Sequence, residues 1–469
     1  MSISMETREG SAKESPSFDR DWTQGNILGN VLRLSWPMVI SQTLTALGPF
    51  IDLIWVGRLG PVSMAAVAIG GITIGLVVTT VMGLVMGTRA MVARFIGAHD
   101  VRTANHVAQQ SLVISLGFSI AMAAVGFFLT EAILSFLRLE ADVIAAGTPY
   151  MRLMFIGSAS VAFRMTSEGI LQASGDSVTP MRAAIVYAVL RVTLSPLFIF
   201  GNEMVSWWIF PAMGINGAAV AMIIAYSLAT VIMLWVLFTG RSRLRLTLSN
   251  FRLDLNIIWR IVRIGFPALV SMMQQNLAQL VFVRVIAPFG TIAVAAHGIV
   301  QRVQMIIMMP AFALGMGAGV LVGQNLGAGQ PKRAGKSAWL ALALVEAIVV
   351  TCSLAIFLWP GAVVRIFNSE PDVVAMTSSF LRIAVAGYVV VGFMAVFMMS
   401  LNGAGDTIPT MIFSVVMSWL VSLPLAYYLP QITDLGVYGV RWGIASGMIS
   451  GAIMYTIYFV LGRWKRKKV

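Results

Sequence analysis

Residues 87–98 read GTRAMVARFIGA, and residues 317–328, which lie 230 positions further on, read GAGVLVGQNLGA. The glycines that open both stretches match, and so do the Gly-Ala pairs that close them. The same offset aligns further pairs, which are Pro37 with Pro267, Ser41 with Ser271, Gly60 with Gly290, and Gly175-Asp176 with Gly405-Asp406. One constant offset without a gap indicates that the chain contains a duplicated unit.

Composition shows which solvent the duplicated unit faces. Of the 469 residues, 58% are hydrophobic and 11% are charged, and the mean hydropathy is +0.86. A soluble domain carries about 25% charged residues. Twelve apolar stretches between residues 32 and 462 are long enough to cross about 30 Å of hydrocarbon as helices. The sequence therefore predicts an all-α integral membrane protein with twelve transmembrane helices.

The charges indicate how these helices are oriented. Lys and Arg number 32 against 19 Asp and Glu, and most of them fall in the two tails, the central basic loop and the alternate loops on the same side. Because Lys and Arg are retained in the cytoplasm, both termini are predicted to lie inside, in a multi-pass protein of the cytoplasmic (inner) membrane. The basic excess predicts contact with anionic lipid and needs no nucleic-acid partner.

The duplication divides the chain into two lobes. Six spans in each half is an even number, so the repeats run parallel and are related by an axis along the membrane normal. Parallel repeats of this kind occur in secondary transporters that place the substrate between the lobes. The predicted parts are a cytoplasmic N-terminal tail (1–31), an N-lobe of helices 1–6 (32–239), a cytoplasmic linker (240–260), a C-lobe of helices 7–12 (261–462) and a basic cytoplasmic tail (463–469), with a central cavity between the lobes.

Several motifs then make the comparison specific. They are Asp52-Leu-Ile-Trp-Val-Gly-Arg-Leu-Gly60, Ala93-Arg-Phe-Ile-Gly-Ala98, Ser174-Gly-Asp176, Gly323-Gln-Asn-Leu-Gly-Ala328 and Asn402-Gly-Ala-Gly-Asp-Thr407. In order and spacing they resemble the multidrug and toxic compound extrusion (MATE) family over nearly the whole chain. The DinF-like branch is the closer one, because the NorM-like branch carries acids in spans 7 and 10, which this chain lacks.

The resemblance implies a secondary active multidrug efflux antiporter. It would export cationic or amphiphilic small molecules in exchange for H⁺ or Na⁺, by alternating access between the lobes, and we expect a monomer. One alternative is a lipid-linked oligosaccharide flippase of the same superfamily, and another is a membrane receptor or sensor that does not transport. Neither His-Glu-x-x-His nor Gly-x-Ser-x-Gly occurs, and one cysteine with three histidines gives no metal motif. We therefore expect no enzyme, no metal and no cofactor besides the coupling ion.

Asp52 is the predicted ion-coupling residue. An acid within the hydrocarbon slab is a functional hypothesis by default. Ser41, Thr45, Gly48 and Asp52 follow helical 4-3-4 spacing, so their polar stripe is expected to line a cavity. Pro49 removes one backbone hydrogen bond beside this acid and is a candidate hinge.

Span 5 departs from the DinF-like pattern. Where similar proteins read Asn-x-x-Leu-Asp-Pro, this chain reads Arg191-Val-Thr-Leu-Ser195-Pro196, so Arg191 and Ser195 replace the amide and the second acid. An arginine in mid-membrane needs an anion, and Asp52 is the nearest predicted one. Two interpretations remain open, either a standing Arg191–Asp52 pair that competes with a cationic drug, or an Arg191 that points away from the cavity.

Other polar positions in the spans are predicted to line the central cavity. These candidates are Ser41, Thr45, Gln275, His297, Gln301, Arg302 and Ser418. Serine and glutamine also tie helices together in bilayers, so each one has a structural alternative. Pro310, in the middle of span 8, is a second candidate hinge.

Overall fold

The structure is a computed structural model, and it describes residues 21–136, 140–203, 210–247, 251–467 and 469. Six helices form the first half, which are α1 (Ile27–Val56), α2 (Pro61–Gly97), α3 (Val101–Phe136), α4 (Ala141–Ser174), α5 (Val178–Phe200) and α6 (Ile215–Thr239). Nine form the second half, which are α7 (Leu255–Ile286), α8 (Thr291–Gly327), α9 (Pro331–Leu358), α10 (Pro360–Arg365), α11 (Pro371–Tyr388), α12 (Val391–Gly403), α13 (Thr407–Val415), α14 (Leu423–Ile432) and α15 (Val437–Leu461). A π-helical segment, Val416–Ser422, joins α13 to α14. The described residues contain no β-strand.

Twelve membrane spans account for this multi-pass fold. Ten helices are long and apolar enough to cross a bilayer, with α13 to α14 counted as one, and the bent pair of α11 and α12 is an eleventh. The twelfth is α4, which has 34 residues and packs against α2, α3 and α6. Its hydropathy is lowered by charged residues that are buried inside the first lobe. The predicted all-α, twelve-helix fold is confirmed.

Both chain ends lie on one side of the bundle. Arg333 donates a 2.8 Å hydrogen bond to the carbonyl of Gly25, and Lys467 lies 3.3 Å from the carboxylate of Asp406. We call this side the tail face, and the opposite side the far face. Of the predicted N-terminal tail, residues 1–20 lie outside the described residues, as do 248–250 of the linker and residue 468 of the basic tail.

The two lobes meet on the tail face through glycines of the duplicated stretch. A Cβ at Gly97 would collide with the carbonyl oxygen of Gln324, and a Cβ at Gly327 would collide with that of Arg94. These contacts are reciprocal, because an offset of 230 carries Arg94 to Gln324 and Gly97 to Gly327. The pseudo-twofold axis predicted from the sequence therefore passes between α2 and α8, where the helix backbones approach closely.

The irregular positions of the helices differ from the predicted hinges. Pro49 and Pro310 lie inside α1 and α8, and each of these helices continues unbroken through its proline. A 45° break instead separates α11 from α12, where no proline occurs. Glu346 of α9 accepts a 3.1 Å hydrogen bond from the Phe393 N–H, one of the amides that the break leaves without a helical partner. A carboxylate with no assigned role in the sequence therefore caps a broken helix.

The glycine contact predicts a difference between two alanine substitutions. Gly97→Ala forces a methyl group into the backbone of α8 and should destabilise the fold by about 1–3 kcal/mol. Gly298→Ala, in a helix position with open space around it, should be neutral or stabilising by up to about 1 kcal/mol. Thermal unfolding of the detergent-solubilised proteins measures both, and equal melting temperatures would contradict the close approach of α2 and α8.

Candidate functional site

Asp52 forms a buried ion pair with Arg191. The Arg191 Nε donates to Asp52 Oδ1 at 3.2 Å, and its Nη2 pairs with Oδ2. Ser195 Oγ, one helical turn along α5, donates to the same Oδ1 at 3.0 Å. Asp52, Arg191 and Ser195 are 8%, 3% and 0% exposed, respectively. The structure thus brings together the predicted coupling acid and the two residues that depart from the DinF-like pattern, because α1 and α5 both run from the tail face to the far face.

Gly48 makes room for this pair. A Cβ at this position of α1 would lie 2.6 Å from the Nη1 of Arg191. The guanidinium therefore lies directly against the α1 backbone, where Asp52, one turn further on, receives two of its N–H groups. Such a bidentate arrangement fixes orientation as well as charge.

The polar contacts continue from this pair through the first lobe. Arg191 Nη1 donates to the Tyr187 hydroxyl, and the Tyr187 ring stacks on Tyr226 with centroids 4.5 Å apart and planes 2° apart. The Arg164 guanidinium lies 4.9 Å from the Tyr226 ring centroid and pairs with Glu168 at 2.7 Å. Two buried ion pairs are thereby joined by two stacked tyrosines.

Ser41 belongs to this network, not to a cavity wall. Its Oγ donates to Glu168 Oε1 at 3.3 Å, and Gln172 donates to the same oxygen at 2.9 Å. The expectation that the polar stripe of α1 lines a cavity is therefore wrong for Ser41 and Asp52, and it holds for Thr45. The reason is that α4 and α5 supply Glu168 and Arg191, which hold Ser41 and Asp52 toward the interior of the lobe.

A cavity of about 630 Å³ lies between the lobes. The first lobe contributes α1 and α2 to its wall, and the second contributes α7 and α8. Its lining includes Gln42, Thr45, Met82, Gln275, Gln279, Gln301, Arg302, Gln304, Met305, Met308, Met309, Phe312 and Met316. Four of the predicted lining residues, namely Thr45, Gln275, Gln301 and Arg302, are among them. Among the described residues that line it, glutamine and methionine predominate, with one guanidinium and no carboxylate.

A second cavity, of about 50 Å³, lies within the second lobe. It contains the two remaining predicted lining residues, His297 and Ser418. Arg441 also lines it, with Nη1 2.9 Å from His297 Nδ1, and His297 Nε2 lies 2.8 Å from the Gln301 amide nitrogen. Gln301 in turn donates to Gln279. A chain of polar contacts thus runs from Arg441 toward the central cavity.

Arg441 is the residue that sequence reasoning missed. The distribution of basic residues places it among the arginines of the far-face loops, whereas the structure buries it, with 3% of its surface exposed, in the second turn of α15. The signal was available, since Gly436-x-x-Gly439 repeats Gly214-x-x-Gly217 at an offset of 222, and the latter pair opens α6. A residue two positions past the second glycine therefore had to lie within a helix. Within the described residues, no three His, Cys, Asp or Glu side chains form a metal-binding group.

Comparisons with known proteins agree with this architecture. The MatE family model matches residues 37–197 and 267–428, two segments that begin 230 residues apart. The probable multidrug resistance protein YpnP of Bacillus subtilis (strain 168) is 28% identical over 454 residues, covering 96% of this chain and 98% of its own. The multidrug resistance protein NorM of Burkholderia vietnamiensis is 27% identical over 437 residues, covering 92% of this chain and 93% of its own.

Solved structures share the fold. One described as the outward-facing conformation of a multidrug resistance MATE family transporter of the MOP superfamily aligns with a TM-score of 0.87 at 24% identity, covering 96% of this chain and 98% of that one. At that identity the likeness concerns the fold. The distinction between the DinF-like and NorM-like branches is not resolved, because relatives named NorM are among the matches.

The buried pair of Asp52 and Arg191 predicts a strongly non-additive double-mutant cycle. Arg191→Met or Asp52→Leu alone leaves one charge buried without its partner and should cost about 3–5 kcal/mol. The double variant replaces both charges by apolar side chains and should recover most of that loss. Melting of the four proteins in detergent gives the coupling energy, and simple additivity would mean that the two residues do not stabilise each other.

Proposed function

The chain belongs to the MatE (multidrug and toxic compound extrusion) family, and we propose that it is a secondary active antiporter that exports amphiphilic compounds, cationic ones included, in exchange for H⁺ or Na⁺. The observation that carries this proposal is the 630 Å³ cavity between two pseudo-symmetric lobes, which is large enough for a drug-sized molecule. Its methionines present a flexible, polarisable surface that repacks around ligands of different shape. The protein would work as a monomer in the cytoplasmic membrane, with the tail face inside.

Alternating access follows from where the lobes touch. The glycine contacts of α2 and α8 hold the two lobes together at the tail face, and we propose that the cavity opens toward the far face in this state. Opening to the other side requires the two glycine-lined helix ends to separate. The comparisons do not favour the flippase or the receptor, since the relatives reported above carry multidrug resistance names.

Asp52 is the proposed coupling group. Protonation of its carboxylate would leave Arg191 buried without an anion, a state that costs several kcal/mol. That cost favours a rearrangement of α1 against α5. The same helix lines the central cavity through Gln42 and Thr45, so a shift of α1 would change the binding surface. Pro49, between Thr45 and Asp52, is the position at which such a change is proposed to bend the helix.

Transport by purified protein in proteoliposomes tests this proposal. Efflux of a cationic fluorescent dye should follow an imposed pH or Na⁺ gradient, and Asp52→Asn should abolish the gradient-dependent part. Asp142→Asn is the matched control, because it alters an exposed acid in the first turn of α4, at the far-face end of the bundle. This variant should transport normally. Gradient-driven transport by Asp52→Asn would refute the coupling role, and a wild-type protein that is driven by neither the pH gradient nor the Na⁺ gradient would refute antiport.

The guanidinium of Arg302 predicts how substrate charge affects affinity. It is exposed in the wall of the central cavity, where it repels a cationic substrate. Two unit charges about 8 Å apart in water-like surroundings interact by about 0.5 kcal/mol. Arg302→Gln should therefore lower the KM for a monovalent cationic dye by about two- to threefold.

Two controls separate this effect from a general change in the protein. The KM for a neutral dye should stay unchanged in Arg302→Gln, and Arg284→Gln, at the exposed end of α7, should alter neither. If Arg302→Gln transports the cationic dye with the wild-type KM, the charge of the dye is held away from this wall.

A further inference from the structure

The second lobe contains a buried guanidinium for which the described residues supply no anion. Arg441 is 3% exposed, and no Asp or Glu of the described chain lies within ion-pair distance of it. Its Nη1 lies 2.9 Å from His297 Nδ1, its Cζ lies 5.4 Å from the Phe380 ring centroid, and its Nε has no hydrogen-bond partner among the described residues. Arginine stays protonated in proteins, so this charge persists.

The first lobe handles its buried arginines differently. Arg191 has Asp52 and Arg164 has Glu168. The internal repeat carries Asp52 to Phe282, so the second lobe has a phenyl ring where the first has a carboxylate. Phe282 lines the same cavity as Arg441. The second lobe therefore has a buried cation, and the position of the corresponding acid is apolar.

The cavity beside Arg441 has the size and lining of a small anion site. Its volume of about 50 Å³ exceeds the roughly 10–15 Å³ needed for one water molecule and is too small for a drug. Besides Arg441, the polar groups at its wall include the hydroxyls of Ser418 and Ser422, both on the π-helical segment. Such π-helical insertions are frequent at functional sites. The described residues of its lining include no carboxylate that would repel an anion.

The small cavity adjoins the central one. Both cavities are lined by the same five side chains, which are Gln275, Gln279, Gln301, Gln304 and Met308, so these side chains lie at the boundary between the two spaces. An anionic group on a molecule in the central cavity therefore lies within reach of Arg441 once these amides turn. Glutamine amides suit such a partition, because they exchange hydrogen-bond partners without carrying charge.

We propose that this second-lobe cavity binds a small monovalent anion against Arg441. Two sources share the required chemistry, namely a free halide such as chloride, and the carboxylate of a substrate whose apolar body occupies the central cavity. Only the second source rests on the proposed transport function. Binding to the purified protein depends on neither transport nor a gradient, so it tests the site by itself.

Thermal unfolding of the full-length protein in detergent is the test. Sodium chloride or sodium acetate replaces sodium gluconate at constant ionic strength, gluconate being too large for the cavity. A ligand that binds only the folded state raises stability by RT ln(1 + [L]/Kd). The melting temperature should therefore rise steadily as chloride or acetate replaces gluconate. Arg441→Gln should remove the dependence, whereas Arg382→Gln, at an exposed arginine of α11, should retain it.

Two further variants keep the outcome decisive if Arg441→Gln alone is ambiguous. In gluconate, Arg441→Met should melt at or above the wild-type temperature, because it removes a charge that has no partner. Phe282→Glu adds a carboxylate at the repeat position of Asp52 and should abolish the response to chloride and acetate alike. A response that survives unchanged in Arg441→Gln and Phe282→Glu, or that is absent from the wild type, overturns the proposal.

The identity of the effective anion separates the two sources. A rise with chloride but not acetate assigns the cavity to an inorganic anion. A rise with acetate, together with proteoliposome transport of an amphiphilic carboxylate that Arg441→Gln abolishes, assigns it to the substrate. Anion binding in a protein that transports no dye under any gradient would support the site while refuting the proposed function.

Discussion

A charge in the interior of a bilayer protein is stable beside a counter-charge or water, and the first lobe is organised around this requirement. The pair of Asp52 and Arg191 and the pair of Arg164 and Glu168 are linked by stacked tyrosines, so helices α1, α4, α5 and α6 share one polar interior. The face that α1 turns inward follows from these contacts. As a result, Gln42 and Thr45, on the adjacent face, line the cavity between the lobes.

The sequence predicted the duplication and the span number, because both follow from spacing and composition, and it offered the meeting of Asp52 with Arg191 as one of two interpretations. It failed where the answer depends on how a helix is rotated. Ser41 and Thr45 lie one turn apart, yet one contacts Glu168 inside the lobe and the other lines the cavity. Only the neighbouring helices decide that difference. The break between α11 and α12 could not be predicted from a proline, because none occurs there, and it is stabilised by Glu346, which is distant in the sequence.

The contact between the lobes differs in kind from the contacts within them. Helices α2 and α8 meet through glycines and backbone carbonyls, a type of contact that relies on close van der Waals packing in the absence of a hydrophobic drive. The buried ion pairs lie within the first lobe, and separating α2 from α8 leaves those pairs intact. Two stable lobes with an interface of small residues suit a protein whose halves must part and rejoin.

The two lobes also differ in charge, and this difference limits the interactions that can hold a substrate in the central cavity. Asp52 already has its cation, so a positively charged compound finds no free carboxylate in the wall that the structure describes. Arg302 repels it from the second lobe. The attraction available is the apolar and polarisable surface of the methionines and Phe312, with hydrogen bonds from glutamine amides. Retention in this cavity therefore depends more on the shape and apolar area of the substrate than on its positive charge. An anionic group of the substrate would lie close to the guanidinium of Arg302, whereas a cationic group would find no free carboxylate in the described wall.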